Sequence, residues 1–359
     1  MDLYIFDRNF NKIAVIDFYK SILWVDRYDK PGEFELYMSA DVDVLQNLKY
    51  GYYVMQKESE HMCIIENIKI ETSIEDGNHY TITGRGLESI LDRRIVWKQT
   101  IFNNVSLQNA IQSLLNENII SPSLTARKIS NFVFKASTDT KITSLKLTAQ
   151  YTGDNLLDVI EKICDDAKIG FKVTLNTSNQ FVFELYSGVD RSYAQFSNDF
   201  VVFSPDFDNI INSNYYESET LYKNVTLVAG DGEGNNRKTY TVGNVSGLDR
   251  KELYTDARDI SSKDEDNNDI PISTYNEMLK QRGQEKLTET TKIKQFDGKV
   301  DSSRMYVFGR DFYMGDVIQI KNEYKLEGPA RVVEYVMSEN IENGLEYYPT
   351  FEAIHESEG

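Results

Sequence analysis

Seven short β-branched or aromatic runs crowd the first 83 residues: LYIFD, KIAVIDFY, ILWVDRY, GEFELYM, YYVMQK, MCIIENIKIETS and HYTITG. Asp-Arg-Asn, Lys-Pro-Gly and Glu-Asp-Gly-Asn stand between them, residues that bend a chain through a fixed φ, an Asx bond or freedom to take positive φ. Runs this short with this punctuation are strands, and their number leaves a β-barrel or a sandwich as the way to bury the apolar faces. After Gly84-Arg85-Gly86, the recurrence of Leu87, Ile90, Leu91 and Ile95 at helical spacing predicts a brief helix.

From about 98 to 196 the periodicity turns to mixed α and β. Ser106 is placed to cap a helix whose apolar face carries Leu107, Ile111, Leu114 and Leu115. Asp154 is placed to cap a second one carrying Leu157, Ile160, Ile163 and Ala167. Beyond Gly170, FKVTL and FVFELY flank Asn176 to Gln180 as a hairpin. Strands resume after 200, with KNVTLVAG and RKTYTVG joined by the turn from Asp231 to Asn236. The segment 259 to 271, DISSKDEDNNDIP, is charged enough to be an exposed loop. A third helix is predicted over about 273–289, starting near Ser273 or Thr274, with Met278, Leu279, Arg282, Lys286 and Leu287 along it. It is the least apolar of the three, so a surface position is expected. The remainder returns to strands in IKQFDGKV, MYVFG, DVIQIK, ARVVEYVM and EYYPTFEAI, with GRDFYMGD and ENIENG as turns.

Chemistry finds little purchase in this chain. With 359 residues there is material for two or three domains, and 39 Lys and Arg against 57 Asp and Glu give a formal charge of -18. That balance is the opposite of a phosphate-binding footprint and disfavours stable nucleic-acid binding. His61, His79 and His355 form no HExxH, and no metal-ligand spacing links them to Cys63 or Cys164, which belong to no CxxC pair and are expected as buried apolar residues. No GxSxG marks a nucleophile. Asp264-Glu265-Asp266-Asn267-Asn268-Asp269 begins like a calcium loop, but Asp269 and Tyr275 stand where Gly and Glu are needed, which leaves a solvated loop. Gly230-Asp231-Gly232-Glu233-Gly234 lies between strands and carries two acids, so it is a hairpin turn and not a phosphate cradle. Fifty-seven acids guarantee carboxylate pairs at roughly 5 to 9 Å in any fold, so they carry no signal for glycoside hydrolysis. No catalytic, cofactor-binding or metal-binding residue is assigned, and no cofactor is expected. The N-terminus lacks a basic region followed by an apolar run, and no stretch approaches membrane-spanning length; synthesis in the cytoplasm without membrane insertion is expected.

Five segments, in order, carry a resemblance: YTITGRGLESILDRRIVW at 80 to 97, GDNLLDVIEKICDDAKIGFKV at 153 to 173, KNVTLVAGDGEGNNRKTYTVG at 223 to 243, RKELYTDARDI at 250 to 260, and GRDFYMGDVIQI at 309 to 320. Their ordered set resembles the siphophage tail-hub family, the N-terminal structural part of tail-associated lysins, which is distantly similar to contractile-tail baseplate hub proteins. The resemblance implies a β-rich α+β fold of two related β-barrel domains with an α/β domain inserted in the first. The domains would be 1–97 plus 197–243 as a discontinuous first barrel, 98–196 as the insertion, and 244–359 as a second barrel with one helix. It further implies a homotrimeric ring linking tail tube to tail tip in the virion, surrounding DNA that passes without stable binding. Distal tail and tail-tube proteins, the tape measure protein and a tip spike or fibre protein would be its neighbours. Because the sequence stops at Gly359 after the last strand, cell-wall cleavage is not expected of it. Subunit contacts are expected on strands around Val225, Leu227 and Val228 and around Val317, Ile318 and Ile320, and a partner contact at the loop of Asp264, Asp266 and Asp269. The alternatives are a receptor- or carbohydrate-binding tail protein and, with less support, a glycoside or cell-wall hydrolase.

Overall fold

The computed structural model describes residues 1–57, 59–74, 77–210, 214–264, 266–297, 300, 305–340 and 344–354. His355 and Glu265 lie outside the described residues. Each N-terminal apolar run forms a strand: β1 (Leu3–Phe6), β2 (Lys12–Ile16), β3 (Ser21–Arg27), β4 (Glu33–Ser39), then a one-turn helix α1 (Val42–Leu45), β5 (Tyr53–Gln56), β6 (Met62–Ser73) and β7 (Gly77–Gly86). In β4 the period of two is explicit, because Phe34, Leu36 and Met38 are buried while Glu35 and Ser39 face out. With Leu3, Ile5, Trp24 and Ile82 they form one core. The helix expected after Gly86 is a 3-10 turn, Leu87–Arg93, and Ile95 lies beyond it and is exposed.

The central segment holds β8 (Thr100–Ser106), α2 (Leu107–Leu115), β9 (Phe132–Lys135), the short α3 (Thr140–Thr143), β10 (Lys146–Tyr151), α4 (Leu156–Asp166), β11 (Gly170–Leu175) and β12 (Phe181–Tyr186). β8 and β10 pair antiparallel, and β12 lies between antiparallel β11 and parallel β9. Helices α2 and α4 bury Ala110, Ile111, Leu114, Ile160 and Ile163 in the largest core of the molecule. Ser106 occupies the N-cap of α2 without a side-chain capping bond. At α4 the cap is Asn155, whose Oδ1 accepts the Leu157 amide at 2.8 Å, while Asp154 accepts the Thr152 amide one turn earlier.

The rest comprises β13 (Val202–Phe203), β14 (Asn214–Ser218), β15 (Val225–Ala229), β16 (Thr239–Val242), β17 (Glu252–Asp256), α5 (Ile272–Thr288), β18 (Ile293–Asp297), β19 (Val317–Lys321), β20 (Glu327–Asn340) and β21 (Gly344–Ala353). α5 starts at Ile272 and presses a narrow face of Tyr275, Met278, Leu279 and Gly283 against β15 and β16. A Cβ at Gly283 would stand 2.7 Å from a Val228 methyl, so the close approach depends on that glycine. The expected strand in 305–309 is a loop with a single bridge from Phe308 to Phe312.

One expectation changes here. The main sheet has eleven strands in the order β13-β19-β20-β3-β4-β7-β6-β5-β1-β2, with β21 also on β20, and it ends at β13 and β2 without closing into a barrel. The physical reason is β20: its first part pairs with β19, a bulge follows between Val332 and Glu334, and its second part pairs with β3. Val332 thus sits in a core with Phe203, Phe312 and Ile318, whereas Met337 sits in the core of β1 to β7. One sheet serves two cores. Among the strands of 197–243, β15 pairs with β16 of the same segment and with β17, while β13 pairs with β19 and β14 with β18.

Candidate functional site

The apolar residues expected to contact other subunits are mostly used within the chain. Val225, Val228, Val317, Ile318 and Ile320 are buried, and only Leu227, 43% exposed, faces out. β15 lies between β16 and β17, and β19 between β13 and β20, so neither strand offers a free edge. An apolar run of this kind marks a central strand, covered here except at Leu227. In the loop, Asp266 and Asp269 are exposed, whereas Asp264 ties the turn by accepting the amides of Asp266 at 3.0 Å and Asn268 at 2.8 Å. Those bonds hold the Asp264 carboxyl below the usual carboxylate range.

A cleft of about 620 Å³ opens where the first core, the central α/β unit and the C-terminal strands meet. Arg27 of β3 reaches Glu33 of β4 at 2.6 Å and Glu334 of β20 at 2.7 Å, joining three neighbouring strands just past the β20 bulge. Lys172 of β11 bridges Glu60 at 2.7 Å and Glu184 at 3.6 Å. Asp26 is half-buried behind them and accepts the Trp24 indole N–H at 3.0 Å; desolvation pushes its pKa up, and a charge on His61 opposes this. Glu88, from the GRGLES segment, is buried and accepts the Val173 amide across to β11 at 2.8 Å, with burial raising its pKa as well. On the far wall the rings of Phe308 and Tyr335 stack at 3.8 Å and 12°, with Tyr347 next in the row at 6.2 Å.

Asp316 anchors the floor. Its carboxylate accepts the amides of Val189 at 2.7 Å and Tyr313 at 3.0 Å and pairs with Arg191 Nε at 2.8 Å. Beside it, a Cβ on Gly188 would stand 1.8 Å from the Gly315 carbonyl oxygen, so two chain segments touch through glycine. These carboxylates are engaged with cations and amides that belong to different units, an arrangement that locks units together. Sequence reasoning missed Arg27, Glu88, Lys172, Arg191 and Asp316; the only local trace was that Glu88 and Asp316 lie in glycine-marked segments, GRGLES and MGD.

Among the described residues, no group of three or more His, Cys, Asp or Glu is arranged to hold a metal ion. His79 is buried and stacks on Tyr37 at 5.1 Å, and burial pushes the Cys63 and Cys164 thiols up. No helix among the described residues is long and apolar enough to cross a membrane.

Over residues 2–346 the sequence matches the family described as Siphovirus ReqiPepy6 Gp37-like protein. No curated protein matches it. Among solved structures, the fold is similar to that of a prophage MuSo2 43 kDa tail protein from Shewanella oneidensis, with a TM-score of 0.59, 11% identity, and 98% of each chain covered. It is also similar to a tail protein from Neisseria meningitidis MC58, with a TM-score of 0.58, 10% identity, and coverage of 98% of this chain and 96% of that one. A third similar structure is the prophage tail protein gp18 from Listeria monocytogenes EGD-e, with a TM-score of 0.56, 12% identity, and coverage of 99% and 96%.

Proposed function

The chain belongs to the Siphovirus ReqiPepy6 Gp37-like protein family, and on that premise we propose that it is a non-catalytic structural protein of a phage tail, a hub at the tail tip. The observation that carries this reading is reciprocal: the likeness to the tail proteins covers nearly all of this chain and nearly all of theirs, so the whole architecture is shared and not one module of it. A cleft whose charged groups tie units together fits a load-carrying part better than a reaction centre.

Three copies form a ring around the DNA path, in which the two cores spanned by β20 act as paired barrel-like units and give a threefold protein a pseudo-sixfold outline. The domains are 1–97 with 197–243, an inserted 98–196, and 244–359, with the largest core lying across the junction of the first two. Three chains carry a formal charge of three times -18, and acids facing the lumen repel DNA phosphates, so the passage does not hold its cargo. Distal tail and tail-tube proteins lie above, the tape measure protein passes through before ejection, and a spike or fibre protein attaches below. Gold-labelled antibody against this chain, applied to intact virions, tests the placement. Label at one end of the tail, distal to the capsid, is expected; label along the tube, or none on intact virions, would refute a tip hub.

A further inference from the structure

Arg94 and Arg127 meet beyond the 3-10 turn that follows β7, with three more cations next to them in the chain. Arg93, Arg94 and Lys98 come from that connection, and Arg127 and Lys128 come from the loop before β9. The two segments are laced through main chain: Arg94 Nε donates to the Arg127 carbonyl at 3.0 Å, and Arg127 donates to the Ile95 carbonyl at 2.7 Å. The Arg127 guanidinium lies 4.8 Å from the centre of the Trp97 ring, which is 55% exposed.

The bonded partners of the two arginines are neutral. Arg94 also donates to the Arg93 carbonyl and Arg127 to Asn118 Oδ1, and among the described residues none of the five forms an ion pair, although Asp92 lies near enough to Arg93 to feel its charge. Elsewhere in this acid-rich chain, cations such as Arg85, Arg191 and Arg237 each have a carboxylate against them. Burial and the neighbouring charge of Arg94 both weaken the hold of Arg127 on its proton, the mark of like charges kept together by main-chain bonds. An anion brought to this patch therefore relieves repulsion as well as adding attraction.

The surroundings identify the kind of anion. Ile95 and Leu124 beside the cations are 41% and 51% exposed. An exposed Trp set among arginines and aliphatic side chains is the composition of protein contacts, where Trp and Arg dominate binding energy. Charge complementarity then points to the occupant. Each copy carries -18, so identical copies repel one another except where a positive surface meets the acid excess. Resting on the trimeric reading above, we propose that the patch around Trp97 docks on an acidic face of a neighbouring copy. Such a contact is heterologous, cations of one subunit against acids of the next, and three of them close a ring.

The test uses the full-length chain. Lys98→Glu with Lys128→Glu reverses two exposed charges and Trp97→Ala removes the anchor, with folding followed by circular dichroism and thermal melting. Light scattering across a concentration series should show that either change raises the concentration for half-assembly about tenfold or more. Wild-type assembly should weaken when salt rises from about 50 to about 300 mM, as screening shortens the reach of charge. A photo-crosslinking residue placed at 97 should give covalent dimers and trimers of the chain. A wild-type trimer whose assembly ignores both changes, with no crosslink from 97, overturns the docking site and leaves the ring standing. A wild-type protein that stays monomeric throughout, with its tail-tube neighbour present as well, overturns both. Variants that remain trimeric but lose binding to a fluorescent DNA duplex would overturn it in favour of a phosphate polymer.

Discussion

Replacing Asp316 by Ala should cost this protein a large part of its stability, and the size of the loss follows from three bonds. The carboxylate, 2% exposed, accepts the Val189 and Tyr313 amides and pairs with Arg191, whose side chain is 18% exposed. Removing one partner of a buried pair costs about 3 to 5 kcal/mol, because the other charge stays behind unpaired. Each orphaned amide adds about 1 to 3 kcal/mol, less where water enters the space vacated. Such losses do not sum, so about 4 to 6 kcal/mol is expected, against a total stability of about 5 to 15 kcal/mol for a typical fold. Asp316→Asn keeps an acceptor while removing the charge and should lose about half as much. Adding Arg191→Met to Asp316→Ala removes the stranded guanidinium and should recover at least about 1 kcal/mol. Urea unfolding followed by tryptophan fluorescence measures all four proteins. A loss below about 1 kcal/mol for Asp316→Ala, or a double variant no more stable than the single one, would refute the staple.

Ile318→Ala should destabilise the fold by about 2 to 5 kcal/mol, and Leu227→Ala by no more than about 0.5 kcal/mol, since the first side chain is buried and the second is 43% exposed; urea midpoints separate the two. Gly84→Ala should lose about 3 kcal/mol or more, or fail to fold, because its Cβ would stand 1.8 Å from the Ile64 carbonyl oxygen and backbone does not yield; expression level and melting temperature report this. Asp166 has its pKa raised to about 7, first by burial and then by Glu285, with Lys162 acting against them. A carboxyl that holds its proton more tightly when folded loses stability as pH rises from its unfolded value near 3.8 to about 7. Melting temperatures at pH 5 and pH 8 should therefore differ less in Asp166→Asn than in the wild type; an unchanged difference would show that the carboxyl does not titrate in that window.

Local elements were legible because their causes are local. Phe34, Leu36 and Met38 alternate within β4, and Leu107, Ile111 and Leu114 recur on one face of α2, so spacing alone identifies both. Pairing over long separations was not. Nothing near Glu334 announces that β20 will leave β19 for β3, and the parallel pairs β13 with β19 and β15 with β17 join segments with many residues between them. For that reason the expected barrel closure does not appear: the described strands fall into several sheets, the largest of them open at both ends. For the apolar strands at 225 to 228 and 317 to 320, composition cannot say what covers them, because a run such as VTLV reads the same whether a neighbouring chain or its own helix packs on it; α5 packs on β15. The charged junction was hidden for the opposite reason: Asp316 and Arg191 differ from the surface acids and bases of this chain only in burial, which composition does not carry.

The central claim, a trimeric hub, is tested most directly by the solution mass of the purified chain from light scattering, with negative-stain images of the same peak, alone and with its tail-tube neighbour. The account predicts a mass near three times 41.4 kDa and ring-shaped particles with an open centre. A mass of one or two chains that persists with the neighbour present, together with particles lacking a central opening, would contradict it.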